Sequence, residues 1–502
     1  MRLNYQKNSE EMTLKTITLT ALLAAVPAIA GAQHTFTISA NNLGPRKVIV
    51  SRSFGGVMMP LQQTIDFGAD SSVTCQLGSN APEHFFVLVD GKAAKAETKS
   101  ISLYPAGSSM TLTVDPEKSL LDVSDYSSAL NAATKAAETP YQIFVEYVTR
   151  SGDRLGLRND TIAASSERKL MHLADSLGSI INKVQEPVRN ALRQEMALNT
   201  LYLWNELYFG RLNRMTDRNS PEAATWKQSD KKITDWANLY NEANALSLLF
   251  TDIASSEWSK HLTDSQIDSL RNAGINSRLF ARFDHFAKSY TGKNREHLLA
   301  HLIYKDTKDA TFTEGLDSLY TIFKTMYPQS DVAPLLEEAV AKNIAINSPA
   351  ELDPDIRFIE PAKGQTLDSV IAMFKGKPLL VDVWATWCGP CRRSFEHADK
   401  IREFARDNGI ELLYISIDED SDREKSVRKL VKSYGLKGNH LIMPLDMKQE
   451  ILSTFGSNGY LSIPAIALYG SDGTLLKSRF TESEDAPALL KAIESMLKSS
   501  GK

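Results

Sequence analysis

Two cysteines, Cys388 and Cys391, stand three residues apart in Trp387-Cys388-Gly389-Pro390-Cys391, directly after the run Leu379-Leu380-Val381-Asp382-Val383-Trp384-Ala385-Thr386. The apolar run reads as a strand and the residues after it open a helix, so Cys388 falls where unpaired backbone N–H groups and the helix dipole favour negative charge. That favours a thiolate at Cys388. Cys391, one turn on, faces the same way and is near enough to close a small ring once the first sulfur has attacked. The chemistry written by this spacing is reversible dithiol oxidation. Its rival is a zinc site, which needs four ligands and normally a second cysteine pair. The chain has three cysteines in all, and His397 and His440 follow no zinc-finger spacing. His297 and His301 share a helix face, but Leu298 stands where a His-Glu-x-x-His frame needs glutamate, so a surface pair is expected there and no metal.

The elements that must hold the dithiol are read from periodicity. Strands are expected near 379–385, 411–417, 465–469 and 474–479, with helices near 389–407, 423–434, 447–455 and 485–498, a pattern that demands an α/β layer. Asn347-Ser348-Pro349 and Asp353-Pro354 mark its start, giving a C-terminal domain over 350–502. Residues 33–117 alternate as strands do, with Phe36, Ile38 and Ala40 on one face and Thr35, Thr37 and Ser39 on the other, and turn signals such as Asp90-Gly91 between runs; a small β-sandwich is expected. Over 120–347 the period becomes helical. Val188, Leu192, Met196, Leu203 and Leu207 follow Pro187, and Leu316, Leu319, Tyr320, Phe323 and Tyr327 step by three, four and seven. An all-α domain is expected there, with Trp204, Trp236 and Tyr240 as core aromatics.

At 502 residues the chain is long enough for about three domains. Lys15 precedes the apolar stretch Ile17 to Ile29, and Ala30-Gly31-Ala32 reads as a cleavage site, so residues 1–32 are expected to be a signal peptide. Met12 is an alternative start, since Glu10 and Glu11 are unusual ahead of a signal core. Removing residues 1–32 moves the formal charge from −4 to −5, which offers nothing to nucleic acid. An exported chain with three cysteines is no disulfide-stapled scaffold. The third, Cys75, lies in an alternating stretch and reads as a small buried thiol, with a resolving or intermolecular thiol as the alternative.

The pentapeptide, Asp382 six residues before Cys388, and Ile463-Pro464 ahead of Ala465 to Tyr469 resemble thioredoxin over residues from about 355 to 499. The leader Gly364-Gln365-Thr366-Leu367, the approach Gly376-Lys377-Pro378 and the long segment between Ile417-Asp418 and Ile463-Pro464 are similar to exported TlpA/ResA-type thiol-disulfide oxidoreductases. The upstream β region is similar, more weakly, to small β domains that precede thioredoxin domains in envelope proteins. The resemblance implies a thioredoxin fold in which Cys388 is the exposed nucleophile and Cys391, more buried, releases the reduced substrate. It implies that Asp382 is a buried carboxyl with a raised pKa that takes the proton of Cys391. It further implies a cis Ile463-Pro464 bond that offers the backbone of Ile463 to an extended substrate strand, with Trp387 and Gly389 lining the docking surface and Pro390 setting the start of the helix. No cofactor is implied. Disulfide-bearing client proteins of the periplasm or cell envelope are the implied substrates. Gly389-Pro390 is the thioredoxin dipeptide, a type poised near about −270 mV against roughly −120 mV for strong oxidants, so a reductant is expected, supplied with electrons by a membrane-embedded thiol relay.

The chain departs from the pattern in three places, over five residues. Tyr414 stands where thioredoxin has a lysine partner for its buried acid; Ser394 and Glu396 stand where ResA-type chains often have Glu and Pro; Phe480-Thr481 replace a glycine after the last strand. These put a specific task in cytochrome c maturation in doubt. Two other functions compete with the redox reading. A peroxidase of the same fold would have Thr or Ser three residues before its cysteine, where this chain has Ala385. A client-binding envelope protein with an accessory redox domain is the alternative from another class, because more than half of the chain lies outside the dithiol domain.

Overall fold

In the computed structural model the described residues are the strands between 34 and 124, given by their backbone, and residues 128–499 apart from 248, 273–274, 331, 349–351, 421, 457–459 and 481–485. The signal-peptide reading of residues 1–32 and the burial of Cys75 lie outside what is described. Two compact units divide the chain. One runs through residues up to 53, 58–138 and 173–193; the other comprises 54–57, 139–172 and 194–502.

Alternating sequence gives paired strands over 34–124: β1 (His34–Ala40), β2 (Lys47–Phe54), β3 (Val57–Met58), β4 (Gln63–Asp66), β5 (Ser72–Leu77), β6 (Glu83–Asp90), β7 (Glu97–Tyr104), β8 (Ser109–Asp115) and β9 (Leu120–Ser124). One sheet runs β5-β1-β8-β9, with Phe36 opposite Cys75 and Met110, and another runs β3-β2-β6-β7 with β4 on β2. Strand β9 carries extended chain past residue 117, so helical structure begins at Ser128 and not at 120.

Among the described residues ten α-helices then follow: α1 (Ser128–Thr149), α2 (Ala163–Ile181), α3 (Val188–Leu212), α4 (Pro221–Ala237), α5 (Phe250–Lys260), α6 (Asp264–Asn272), α7 (Ile275–Ser289), α8 (Gly292–Lys308), α9 (Leu316–Met326) and α10 (Ala333–Asn347). The periodic residues do what their spacing predicts. Leu203 and Leu207 of α3 and Leu316, Leu319 and Phe323 of α9 are buried, and Trp204 stacks on Trp226 at 5.3 Å. Tyr240 does not: it is 68% exposed, lying against Tyr290. Helix α4 ends at Ala237, and Asn238 turns the chain in the left-handed region (φ 49°), so the helical spacing from Trp236 never reaches Tyr240. The surface pair expected at His297 and His301 is also corrected. His301 is buried and His297 is partly buried with Nδ1 2.8 Å from the Ala245 carbonyl, because α8 packs against α7, α9 and α10 at once.

The C-terminal α/β layer comprises β10 (Ile356–Ile359), α11 (Leu367–Ala372), β11 (Leu379–Trp384), α12 (Gly389–Phe395), α13 (Ala398–Asp407), β12 (Glu411–Ser416), α14 (Arg423–Tyr434), β13 (Gly438–Ile442), α15 (Lys448–Phe455), β14 (Ala465–Tyr469), β15 (Leu475–Lys477) and α16 (Ala486–Ser499). Its sheet order is β10-β13-β12-β11-β14-β15, parallel through the first four strands and antiparallel at β14 and β15. Strand β11 is central. Val381 and Val383 face one core with Ile415 and Leu441, while Leu380 and Trp384 face the other with Phe395 and Leu468. Strands β10 and β13 are additions to what periodicity predicts, and the single helix expected over 389–407 is broken at Glu396-His397.

Candidate active site

Strand β11 delivers its last residues to the carboxyl edge of the parallel strands, where the chain turns into α12. Asp418, buried just beyond β12, fixes that turn. Its carboxylate accepts the Thr386 N–H at 3.0 Å, the Thr386 Oγ1 hydroxyl at 2.5 Å and the Ser416 hydroxyl at 2.7 Å. These are charge-assisted bonds in a dry setting, so they hold Thr386 and with it the next two residues. Trp387 is 65% exposed at the surface beside them.

Cys388 is the cap of α12, with φ −81° and ψ 99°, and its Sγ accepts the Cys391 N–H at 3.1 Å. Cys388 and Cys391 are joined as a disulfide, their Cα atoms 5.3 Å apart. Cys388 is 4% exposed, against the expectation of an exposed sulfur, and Cys391 is 0% exposed. The cause is packing: both cysteines belong to the cluster of Trp384, Phe395, Tyr414 and Ile466. Gly389 and Pro390 are partly exposed. Across the sheet Ala465 of β14 lies opposite Val383, which brings Pro464, buried, and Ile463, partly buried, to the same end as the dithiol; the Ile463–Pro464 bond is cis.

Asp382 lies behind the dithiol on β11. The residue is partly exposed, but its Oδ1 is sealed from solvent and has no hydrogen-bond partner, and desolvation pushes the carboxyl up to about 7. It lines a cavity of about 20 Å³ with Ser394, Phe395 and Tyr414, large enough for one water. The Ser394 hydroxyl donates to the Cys391 carbonyl at 2.7 Å, so one wall of the cavity is tied to the second cysteine.

The register sets a row across the sheet that periodicity alone does not reveal. Phe358 pairs with His440, His440 with Tyr414, Tyr414 with Asp382, and Asp382 with Ile466. Tyr414 stacks flat on His440 at 5.0 Å, and His440 on Phe358 at 5.1 Å. Burial, then the Asp382 charge, raises the Tyr414 hydroxyl pKa; burial pushes His440 down to about 4, leaving a neutral ring whose Nε2–H donates to the Leu436 carbonyl at 2.7 Å. Sequence reasoning missed Asp418 and this row. The signal for Asp418 was a polar residue at the carboxyl end of a parallel strand, where such folds build sites.

The Redoxin family profile matches residues 349–493. Thiol-disulfide oxidoreductase ResA of Bacillus thuringiensis subsp. konkukian is 28% identical over 104 residues, 21% of this chain and 55% of the relative. The chain thus spans about half the length of the ResA proteins it matches. Thiol:disulfide interchange protein CycY of Rhizobium leguminosarum bv. viciae is 32% identical over 165 residues, 32% of this chain and 82% of the relative. The solution structure of a thiol:disulfide interchange protein from a Bacteroides species aligns with 22% identity and a TM-score of 0.21, covering 26% of this chain and 76% of that one. With its dithiol at the start of α12 and this relationship over the surrounding sheet, the chain belongs to the Redoxin family, among thiol-disulfide oxidoreductases of the TlpA/ResA type.

Proposed function

We propose that the protein reduces disulfides of client proteins in the cell envelope by dithiol exchange at Cys388 and Cys391, having been exported by a cleaved signal peptide over residues 1–32. The Cys388 thiolate attacks one sulfur of a client disulfide; the client S–S bond breaks, a mixed disulfide forms, and the departing client thiolate takes up a proton. Cys391 then loses its proton to Asp382, and its thiolate attacks the Cys388 sulfur. The second client thiol leaves and the Cys388–Cys391 disulfide remains. A thiol reductant embedded in the membrane supplies the two electrons that reopen it.

The observation that supports this reading best is the Cys391 N–H aimed at Cys388 Sγ at 3.1 Å in the closed disulfide, a donor that would favour a thiolate on the first cysteine once the S–S bond opens. The unpartnered Asp382 oxygen, with a pKa near the working pH, supports its role as the proton acceptor. Trp387, Gly389, Pro390, Ile463 and Pro464 form the substrate-docking surface in this reading, the peptide groups beside Pro464 pairing with the backbone of an extended client segment. In this reading the two N-terminal sheets, β9 included, pack as a β-sandwich, followed by a helical domain that begins at Ser128 and by the redox domain over 350–502. Insulin-disulfide reduction tests the assignment. Cys388→Ser should abolish turnover, and Cys391→Ser should accumulate a client joined through Cys388. Full turnover in the Cys388 variant refutes the reading.

A further inference from the structure

Helices α7 and α8 and the loop after α8 enclose a cleft of about 180 Å³, remote in composition from the dithiol chemistry. It is lined by Arg278, Leu279 and Arg282 of α7, Leu302, Lys305 and Asp306 of α8, and Asp309, Thr311 and Thr313 of the loop. Its two acids are already engaged. Asp306 accepts from the Thr313 N–H and hydroxyl and from Asn343, and Asp309 pairs with Lys305 at 3.3 Å. The two arginines are not. Four residues apart on one helix, they present guanidinium groups to the same side, and among the described residues neither has a carboxylate within ion-pair reach of 4.0 Å.

Arg282 is the more telling of the two. Its guanidinium lies over the Trp258 ring at 4.9 Å, while its Nε–H is shut off from solvent and donates to nothing. Burial and, after it, the charge of Arg278 disfavour its protonated form, with the Asp252 charge opposing them. A sealed donor without an acceptor on a residue that stays charged is costly, and it leaves a hydrogen-bonding capacity that a water or an anion in the cleft can use. Two guanidinium forks beside the apolar side chains of Leu279 and Leu302 match an oxyanion carried on a small body. The volume is far above what one ordered water needs, which suits a small organic anion better than a bare halide.

We propose that this cleft is a binding site for a small oxyanion, a phosphate or carboxylate group held by Arg278 and Arg282. The site is independent of the dithiol assignment, since neither arginine belongs to that chemistry.

Isothermal titration of the full chain with inorganic phosphate and, separately, succinate, both at constant ionic strength set with sodium chloride, tests it. Saturable one-to-one binding of either anion supports the site, and the tighter of the two identifies the group it prefers. Arg278→Ala, at an exposed position, should weaken that binding at least tenfold with the thermal midpoint of the unliganded protein unchanged. Arg282→Lys, which keeps the charge and loses the fork, should weaken it as well. No binding beyond chloride, or binding that both variants retain, overturns the proposal.

Discussion

Asp382 and His440 sit two strands apart in one row, and their protonation is displaced in opposite directions by the same cause, loss of water. The aspartic acid keeps its proton in the folded protein up to about pH 7, whereas the unfolded chain gives it up near 3.8; the histidine is neutral in the folded protein down to about 4, whereas the unfolded chain protonates near 6.5. Between about pH 4 and 6.5 each state therefore holds one proton on the pair, and the pair adds almost no slope to stability. Breaking it exposes the slopes. Asp382→Asn leaves only the histidine, whose folded pKa is depressed, so stability should rise with pH across that window by on the order of 3 kcal/mol. His440→Phe leaves only the aspartic acid, whose folded pKa is raised, so stability should fall by a similar amount from about pH 4 to 7. Urea midpoints at pH 4.5, 5.5 and 6.5 distinguish the cases; equal slopes in both variants and the parent contradict the argument. Asp418 calls for a different outcome. Asp418→Ala strands the Thr386 N–H and two hydroxyls, costing on the order of 2–4 kcal/mol, and it should slow insulin reduction without moving the pH profile, because Asp418 holds the turn and exchanges no proton. A shifted pH profile in that variant assigns Asp418 to the proton path instead.

At the scale of elements, the row depends on how closely β13 can approach β12. Gly438 opens β13 at φ 140°, and a Cβ there would lie 3.2 Å from both the Tyr414 ring and the Leu412 side chain. Gly438→Ala should thus cost about 1–3 kcal/mol and perturb the environment of Tyr414, visible as a change in its near-ultraviolet signal. An alanine variant as stable as the parent shows that β13 has room to move. The same strand explains a limit of periodicity. Gly438-Asn439-His440 carries no apolar alternation, because its inward residue is a histidine that stacks on Tyr414 and bonds to Leu436, a partnership visible only when the strands are aligned. Strand β10 is short, with Arg357 inside it, and no glycine or proline marks the break between α12 and α13. By contrast β11, α12 and the dithiol were legible, since a continuous apolar strand, a capping cysteine and Pro390 in the first turn are all local signals. Tyr240 marks the reverse failure, an extrapolation of helical spacing past the left-handed Asn238.

At the scale of the molecule, the helical stretch from residue 194 and the redox sheet form one compact unit, which bears on whether the helices are a spacer or a support. The joint is built from cations on the redox side that meet carbonyl groups on the helical side. Lys432 of α14 donates to the carbonyls of Ile346 and Ser348 at 3.2 and 3.0 Å, capping the end of α10, and Lys429, one turn earlier, donates to the Phe312 carbonyl at 2.9 Å. Arg392, the residue after Cys391, donates to the Asp309 carbonyl, so the joint reaches the dithiol helix itself. Lys425 and Glu314 add an ion pair at 2.6 Å, both well exposed and so of little worth. Hydrogen bonds from a charged donor to partly buried carbonyls are each worth about 1.5–3 kcal/mol, enough to couple the two halves but not to survive removal of several. Calorimetry of the full chain should accordingly show residues 194–499 melting as one transition. Lys429→Ala with Lys432→Ala should split it into two, the halves then unfolding independently as linked domains with a weak interface do. If the parent protein already melts the helices and the sheet separately, the helical stretch is a tethered neighbour, and the carbonyl contacts of Lys429, Lys432 and Arg392 carry no support to the redox site.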